Sequence, residues 1–373
     1  MSSGSMTSLY SSSNARLTSI VSHFSGVRLK VVVCRHLGPA MPPLLERKDV
    51  DIVLWPEDRS CERAWLLENI KGAAGVLVLI PDFEVNQELL DAAGPNLRVV
   101  STMSVGYEHI DVPLMAQNGI RVGYTPDVLT EAVADITIML ALMAGRNDGV
   151  AYTLVKNGEW CKPNFGWSPF TFCGPQLSTS LSSPTRTVGF LGFGRIAQAT
   201  LSRLIPFGIT HCIYTASPTS QPDTARDDAL KAKHNLKGLD RVDIDRLARE
   251  SDVLFLLTPG GKETYHLVDA AFLRKMKPMS VLVNTSRGSV VDSDALATAL
   301  REKWIWGAGL DVVEGEPAIT SDHPLVKESR CVMVPHIGSA TFQTRLDMAT
   351  CAIDNLIQGV FGGEMPAELK QSA

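Results

Sequence analysis

The chain has 373 residues, which at about 150 residues per domain predicts two domains or three. Hydrophobic residues make up 45% and charged residues 20%, so ordinary buried cores suffice and neither disorder nor disulfide stapling is needed to account for the chain. With 35 Lys and Arg against 40 Asp and Glu the formal net charge is −5, which argues against a general nucleic-acid binder and leaves room for a local positive pocket.

Residues 1–28 are Ser-rich, carry Arg16 and Arg28, and precede the first acid, Glu46, while Leu17, Ile20, Val21 and Phe24 recur at helical spacing. The stretch reads as a disordered tail or as an amphipathic mitochondrial transit peptide, and it has no long apolar core for a secretory signal. Beyond it, Val31–Val33, Ile52–Leu54, Val76–Ile80 and Arg98–Ser101 are short apolar or β-branched runs separated by helical or turn-like stretches. Such tight alternation predicts a parallel sheet with helices on its faces. A long helical pattern starts near Thr130, runs through Glu131–Arg146 and continues into a second one ending near Gly158. Its apolar part, Ala132–Gly145 interrupted by Asp135, is shorter than the roughly 20 residues a bilayer requires, so a buried helix and no membrane partner are expected. Residues 160–186 are irregular and rich in Pro, Ser and Gly, a length that marks a functional loop.

A second alternating series follows, with strands expected at Thr187–Leu191, His211–Tyr214, Val253–Leu257, Ser280–Asn284, Gly307–Asp311 and Cys331–Val334. Helical patterns lie near Arg195–Pro206, Ile244–Glu250, Asp292–Lys303 and Phe342–Gly359. The simplest architecture is two α/β domains, the second inserted between the first series and the final helix. The seven cysteines, Cys34, Cys61, Cys161, Cys173, Cys212, Cys331 and Cys351, are odd in number, irregularly spaced and without a C-x-x-C. They argue against a disulfide framework or a zinc site and for a reducing compartment, the cytoplasm, or the mitochondrion if the first stretch is a transit peptide.

Val188-Gly189-Phe190-Leu191-Gly192-Phe193-Gly194-Arg195-Ile196-Ala197 sets G-x-G-x-x-A between an apolar strand and an amphipathic helix. Gly192 permits the tight turn, Gly194 lets a pyrophosphate approach the backbone, and Ala197 lets the helix pack on the strand. The helix N-terminus then offers unpaired N–H groups to the phosphates, so dinucleotide binding is expected. An NAD site usually carries an acid about 20 residues on. Here the strand ends Tyr214-Thr215-Ala216-Ser217 and no acid follows until Asp223. That favours NADP(H) and leaves NAD(H) open; Thr215, Ser217 and Thr219 can donate hydrogen bonds, and Arg226, the nearest base, stands some way along the chain.

Three polar residues lie just past strand ends, where open α/β sheets bind ligands: Arg287 in Asn284-Thr285-Ser286-Arg287-Gly288, Glu316 in Asp311-Val312-Val313-Glu314-Gly315-Glu316-Pro317, and His336 in Val334-Pro335-His336-Ile337-Gly338-Ser339-Ala340-Thr341. Each alone has an ordinary reading, as a loop ion pair, a turn acid and a helix-entry residue. Together on a dinucleotide fold they make a chemically sensible unit.

These motifs, with Ser101-Thr102-Met103-Ser104-Val105-Gly106 and Met365-Pro366-Ala367-Glu368-Leu369-Lys370, mark a resemblance from residue 29 to 371 to the D-isomer-specific 2-hydroxyacid dehydrogenases, in particular to those that reduce glyoxylate and hydroxypyruvate. The resemblance implies two Rossmann/flavodoxin-like doubly wound parallel-sheet domains. Residues 29–128 and 340–373 would form the substrate domain and 129–339 an inserted dinucleotide-binding domain with dimerisation helices, the protein acting as a homodimer. It implies that Arg287 clamps the substrate carboxylate, that His336 protonates the carbonyl oxygen as hydride arrives, and that Glu316 orients the imidazole and favours its protonated form. Val105 and Gly106 would hold the carboxylate through backbone amides, with Ser339 nearby. Thr130, Arg195, Ile196, Thr258, Thr285, Asp311 and Gly338 match cofactor-contacting positions beside Gly192, Gly194, Thr215, Ser217 and His336, Asp311 taking the carboxamide. Trp167 matches a loop tryptophan reaching a partner's active site, and equally reads as a plain interface aromatic. Three departures stand out: Ala197 replaces the commoner third glycine, Ser217 stands where an NADP-preferring relative places arginine, and the loop before Trp167 is longer than the family pattern. Reduction of another 2-oxo acid, D-3-phosphoglycerate dehydrogenation, and a dinucleotide-sensing corepressor-like scaffold are the alternatives.

Overall fold

The computed structural model describes residues 28–80, 84–160 and 169–370. The N-terminal tail and Trp167 therefore lie outside the described residues. Contacts divide the chain into two units. One takes in the described residues up to Ser101, Val112–Gly123 and Ile353 onward; the other comprises Thr102–Asp111 and Tyr124–Ala352.

The first unit holds a five-stranded sheet of β1 (Leu29–Val33), β2 (Val50–Leu54), β3 (Gly75–Val78), β4 (Val99–Thr102) and β5 (Arg121–Gly123), in the order β2-β1-β3-β4-β5. β1 runs parallel to β2 and β3, and β4 to β5. This is the flavodoxin-like order. Val31, Val32 and Val33 are all fully buried, as a strand covered on both faces requires. Within this unit Leu356 and Val360 of the last helix lie over Gly75, where a Cβ would crowd both.

The second unit holds a seven-stranded sheet of β6 (Thr187–Leu191), β7 (His211–Thr215), β8 (Gly238–Arg241), β9 (Val253–Leu256), β10 (Val281–Asn284), β11 (Gly307–Leu310) and β12 (Cys331–Met333), in the order β12-β11-β10-β9-β6-β7-β8. All six pairings are parallel. Counted from β6, the first six strands follow the Rossmann order 3-2-1-4-5-6, with β12 added at the far edge. The alternation of strand side chains builds two cores. Leu254, Leu256 and Leu282 face the helices Ile244–Glu250, Ala270–Leu273 and Ser293–Arg301, whereas Val253, Phe255, Val281 and Val283 face Thr130–Gly145 and Arg195–Leu204.

The alternating strands expected from the sequence form, within a residue or two at their ends. Among the elements not expected are the strands β5 and β8 and the helix Thr224–His234. β5 has three residues, and β8 is the edge segment Gly-Leu-Asp-Arg, with two charges and only Leu239 buried. The helix has Ala229 and Leu230 as its apolar residues beyond Ala225 and Ala232, so its periodic signal is weak, yet Asp223 caps its first turn by accepting from the Arg226 N–H. No helix among the described residues is long and apolar enough to cross a membrane.

Candidate active site

The Gly192 turn leaves β6 at the switch point of the seven-stranded sheet, between β6 and β9. Gly192 has φ +87°, and a Cβ there would press on the Leu257 carbonyl at 2.7 Å. Gly194 is the opposite case, because a Cβ there would meet nothing within 4 Å. It faces open space at the start of the helix Arg195–Leu204, whose first N–H groups receive no side-chain cap from it. Ala197 is fully buried against the strand behind. At the end of β7 the Thr215 hydroxyl is buried and has no hydrogen-bond partner among the described residues. An open glycine, an uncapped helix start and an orphaned hydroxyl together fit a dinucleotide whose phosphates and ribose supply the missing partners.

The loop after β10 carries Arg287. Asn284, 1% exposed, organises it: its Oδ1 accepts from the Ser286 N–H (3.0 Å) and hydroxyl (2.8 Å), and its Nδ2 donates to the Arg287 carbonyl at 2.9 Å. The Arg287 guanidinium donates through Nη1 to the Ser286 carbonyl at 2.7 Å, and its Nη2 lies 3.3 Å from Glu108 Oε2. It also lies against Gly106, where any Cβ would collide with it. Gly288 abuts the Val313 carbonyl, so the Arg287 loop and the Glu316 turn are in direct contact.

Glu316 Oε1 lies 2.8 Å from His336 Nδ1, and its Oε2 accepts the Val313 N–H at 3.1 Å. The second anchor fixes the carboxylate so that it in turn orients the ring. Asp311 uses both oxygens on the turn that carries the histidine, accepting from the Ile337 N–H at 2.6 Å and the Gly338 N–H at 2.9 Å. Burial pushes the Asp311 carboxyl above the ordinary aspartate range, against the pull of those two amides and of His336. His336 itself has φ +52°, a conformation uncommon away from glycine.

The remaining expected residues fall around this centre. Thr130 opens the helix Thr130–Gly145. Arg195 pairs with Asp127, Nε to Oδ1 at 2.8 Å. Ile196 and Val105 pack on a small cluster of Leu129, Val133 and Met348. The Thr285 hydroxyl is 2.8 Å from that of Thr137. Thr258 follows β9 beside Gly192. The carbonyl of Ser339 accepts the Thr341 N–H at 2.9 Å. Ser217 and Thr219 sit in the exposed turn after β7, their hydroxyls 2.8 Å apart. Arg226, distant in sequence, folds back so that its Nη2 reaches the Tyr214 hydroxyl at 2.8 Å and its guanidinium stacks over Phe193.

Sequence reasoning missed four contributors. Glu108, two residues past Gly106, could have been marked as an acid beside an anion site. His109 is mostly buried, with Nε2 3.1 Å from the Thr102 hydroxyl and Nδ1 unpartnered among the described residues. Asn284 closes β10, and nothing in the residue type at that place marks the loop bonds it makes. His266, whose Nε2 lies 2.8 Å from Glu314 Oε2, backs the turn that bears Glu316 and carries no local signal.

Comparison with known proteins agrees with this geometry. Residues 138–338 match the family described as D-isomer specific 2-hydroxyacid dehydrogenase, NAD binding domain. The chain is 40% identical over 343 residues to a glyoxylate reductase from Thermofilum pendens, covering 92% of this chain and 94% of the relative. It is 40% identical over 327 residues to the glyoxylate reductase/hydroxypyruvate reductase of Mus musculus, covering 88% and 93%. Among solved structures, the NADPH-dependent glyoxylate/hydroxypyruvate reductase from Sinorhizobium meliloti, in complex with NADP and malonate, superposes with a TM-score of 0.73 at 31% identity, covering 92% of this chain and 97% of that one. With the sheet orders, the glycine turn and the Arg287–Glu316–His336 group already in place, the chain belongs to the D-isomer-specific 2-hydroxyacid dehydrogenase family.

Proposed function

We propose that the protein reduces glyoxylate to glycolate and hydroxypyruvate to D-glycerate, preferring NADPH to NADH. The observation that carries this reading is the meeting, in one unit, of a guanidinium laid against the Gly106 backbone and a Glu–His pair at 2.8 Å, both at the strand ends of a dinucleotide-binding sheet. The likeness to the glyoxylate reductase of Thermofilum pendens and the glyoxylate reductase/hydroxypyruvate reductase of mouse supports the substrate class. The lack of an acid between Thr215 and Asp223 supports the phosphorylated cofactor.

When bound, the nicotinamide supplies the hydride to the substrate's carbonyl carbon. Arg287 holds the carboxylate through its planar fork and polarises the adjacent carbonyl, and the Val105 and Gly106 amides share the same anion. His336, turned by Glu316 through Nδ1, gives its Nε2 proton to the carbonyl oxygen, which becomes the product hydroxyl. Asp311 keeps the His336 turn in place and orients the carboxamide. Gly192, Gly194, Arg195, Ile196, Thr130, Thr258, Thr285, Gly338, Thr215 and Ser217 hold the rest of the cofactor. The protein works as a homodimer, a reading supported by the exposed Met139, Leu142, Tyr152 and Val155 on and after the helix Thr130–Gly145.

Initial rates with NADPH and NADH against glyoxylate, hydroxypyruvate and pyruvate test the proposal. High kcat/KM for the first two acids with NADPH, and little for pyruvate, is expected. Slow turnover in all six combinations despite tight cofactor binding would move the reading to a larger 2-oxo acid or to a sensing scaffold.

A further inference from the structure

We propose that Arg241, at the end of β8, supplies the positive charge that selects a 2′-phosphorylated dinucleotide, acting through the turn Ser217–Ser220. The inference rests on the NADP(H) reading above and assigns its determinant. Ser217 stands where an arginine would serve this purpose directly, so the charge must come from elsewhere if the 2′-phosphate is to be held.

Two arginines reach this end of β7, and only one is available. Arg226 donates to Asp227 Oδ1 from Nε at 3.0 Å and from Nη2 at 2.6 Å, and Asp227 also accepts the Tyr214 hydroxyl at 2.6 Å. Its charge is thus neutralised where it stacks on Phe193. Arg241 differs. The β7–β8 register sets it opposite Tyr214, one residue from the end of β7. Its guanidinium reaches over the turn, Nη1 to the Ser220 carbonyl at 2.8 Å and Nη2 to the Ser217 carbonyl at 2.9 Å. Both acceptors are neutral, and no carboxylate among the described residues pairs with it. Its neighbour Asp240 points to the opposite face of the strand and lies 4.0 Å from Arg246. The Asp223 carboxylate accepts from the Arg226 N–H at the start of its helix.

The result is an unneutralised cation beneath a turn whose Ser217 and Thr219 hydroxyls are already pre-set 2.8 Å apart, past the strand end where the adenine ribose lies. The guanidinium and these hydroxyls make a donor set for a phosphate, while a 2′-hydroxyl gains little from a full positive charge.

The test uses the full chain and its Arg241→Gln variant. The ratio of kcat/KM for NADPH to that for NADH is expected to fall about tenfold to a hundredfold in the variant, the range of a lost charged hydrogen bond. Competitive inhibition by 2′,5′-ADP should weaken to a similar extent relative to 5′-AMP, and Arg241→Lys should restore part of both ratios. A loss shared equally by both cofactors and both inhibitors would reduce Arg241 to a scaffold of the turn and overturn the proposal, as would unchanged ratios. A wild-type enzyme that prefers NADH would instead overturn the NADP(H) reading, and the assignment with it.

Discussion

Two imidazoles of the candidate site are set to opposite tasks by their surroundings. His336 is partly exposed and held at Nδ1 by Glu316, which suits a group that gives and regains a proton. Replacing it in His336→Asn should lower kcat by about 10²–10⁴-fold while NADPH binding, followed by fluorescence titration, stays close to wild type; full activity would place the proton donor elsewhere. His109 is instead pushed down to about 4, first by burial and then by the nearby Arg287, with Glu108 opposing. It is therefore neutral in the folded protein at neutral pH, whereas an unfolded imidazole takes a proton below about 6.5. Because the folded value is the lower one, its stabilising effect is complete above the unfolded value and is lost as pH falls toward 4. Over that window the loss amounts to about 3 kcal/mol. Urea unfolding of wild type and His109→Gln across the same window should show a shallower decline in the variant, and parallel declines would refute the assignment.

At the scale of loops and strands, the site depends on residues that never touch substrate. Asn284 satisfies two donors and one acceptor of the loop that bears Arg287. Asn284→Ala leaves those buried groups unpaired, so a destabilisation of about 1–3 kcal/mol is expected. It should come with a raised KM for 2-oxo acids as the guanidinium loses its position; an unaltered KM would separate the loop's order from Arg287 placement. The sequence made the apolar strands and the glycine turn legible because their signals are local: β-branched runs, a G-x-G, polar residues at strand ends. Asn284 bonds only two and three residues along the chain, but its residue type does not announce which loop groups it will hold; Glu108 and His266 were not legible for another reason. Their partners lie in the third dimension, in the case of Glu108 and Arg287 179 residues apart. β8 escaped for a related reason, since an edge strand with Asp240 and Arg241 lacks the hydrophobic alternation of a covered one. Arg226 shows the converse, a residue distant along the chain that a capped helix returns to the end of β7.

For the molecule as a whole, the last helix, Phe342–Phe361, contributes Met348 to the core of one unit and the fully buried Leu356 to that of the other. Leu356→Ala should therefore open a cavity in the five-stranded unit and cost about 2–5 kcal/mol. Denaturant unfolding followed together with NADPH binding is expected to show an earlier transition that leaves binding in place; simultaneous loss of both would mean that the two units melt as one. The edge formed by β8 has a bearing on the life of the chain before it reaches this state. An uncovered strand invites pairing with another chain, and natural sheets discourage it with short, charged edge strands. β8 is four residues long and presents Asp240 and Arg241, so a side chain proposed to recognise a cofactor also makes that margin of the sheet a poor template for aggregation.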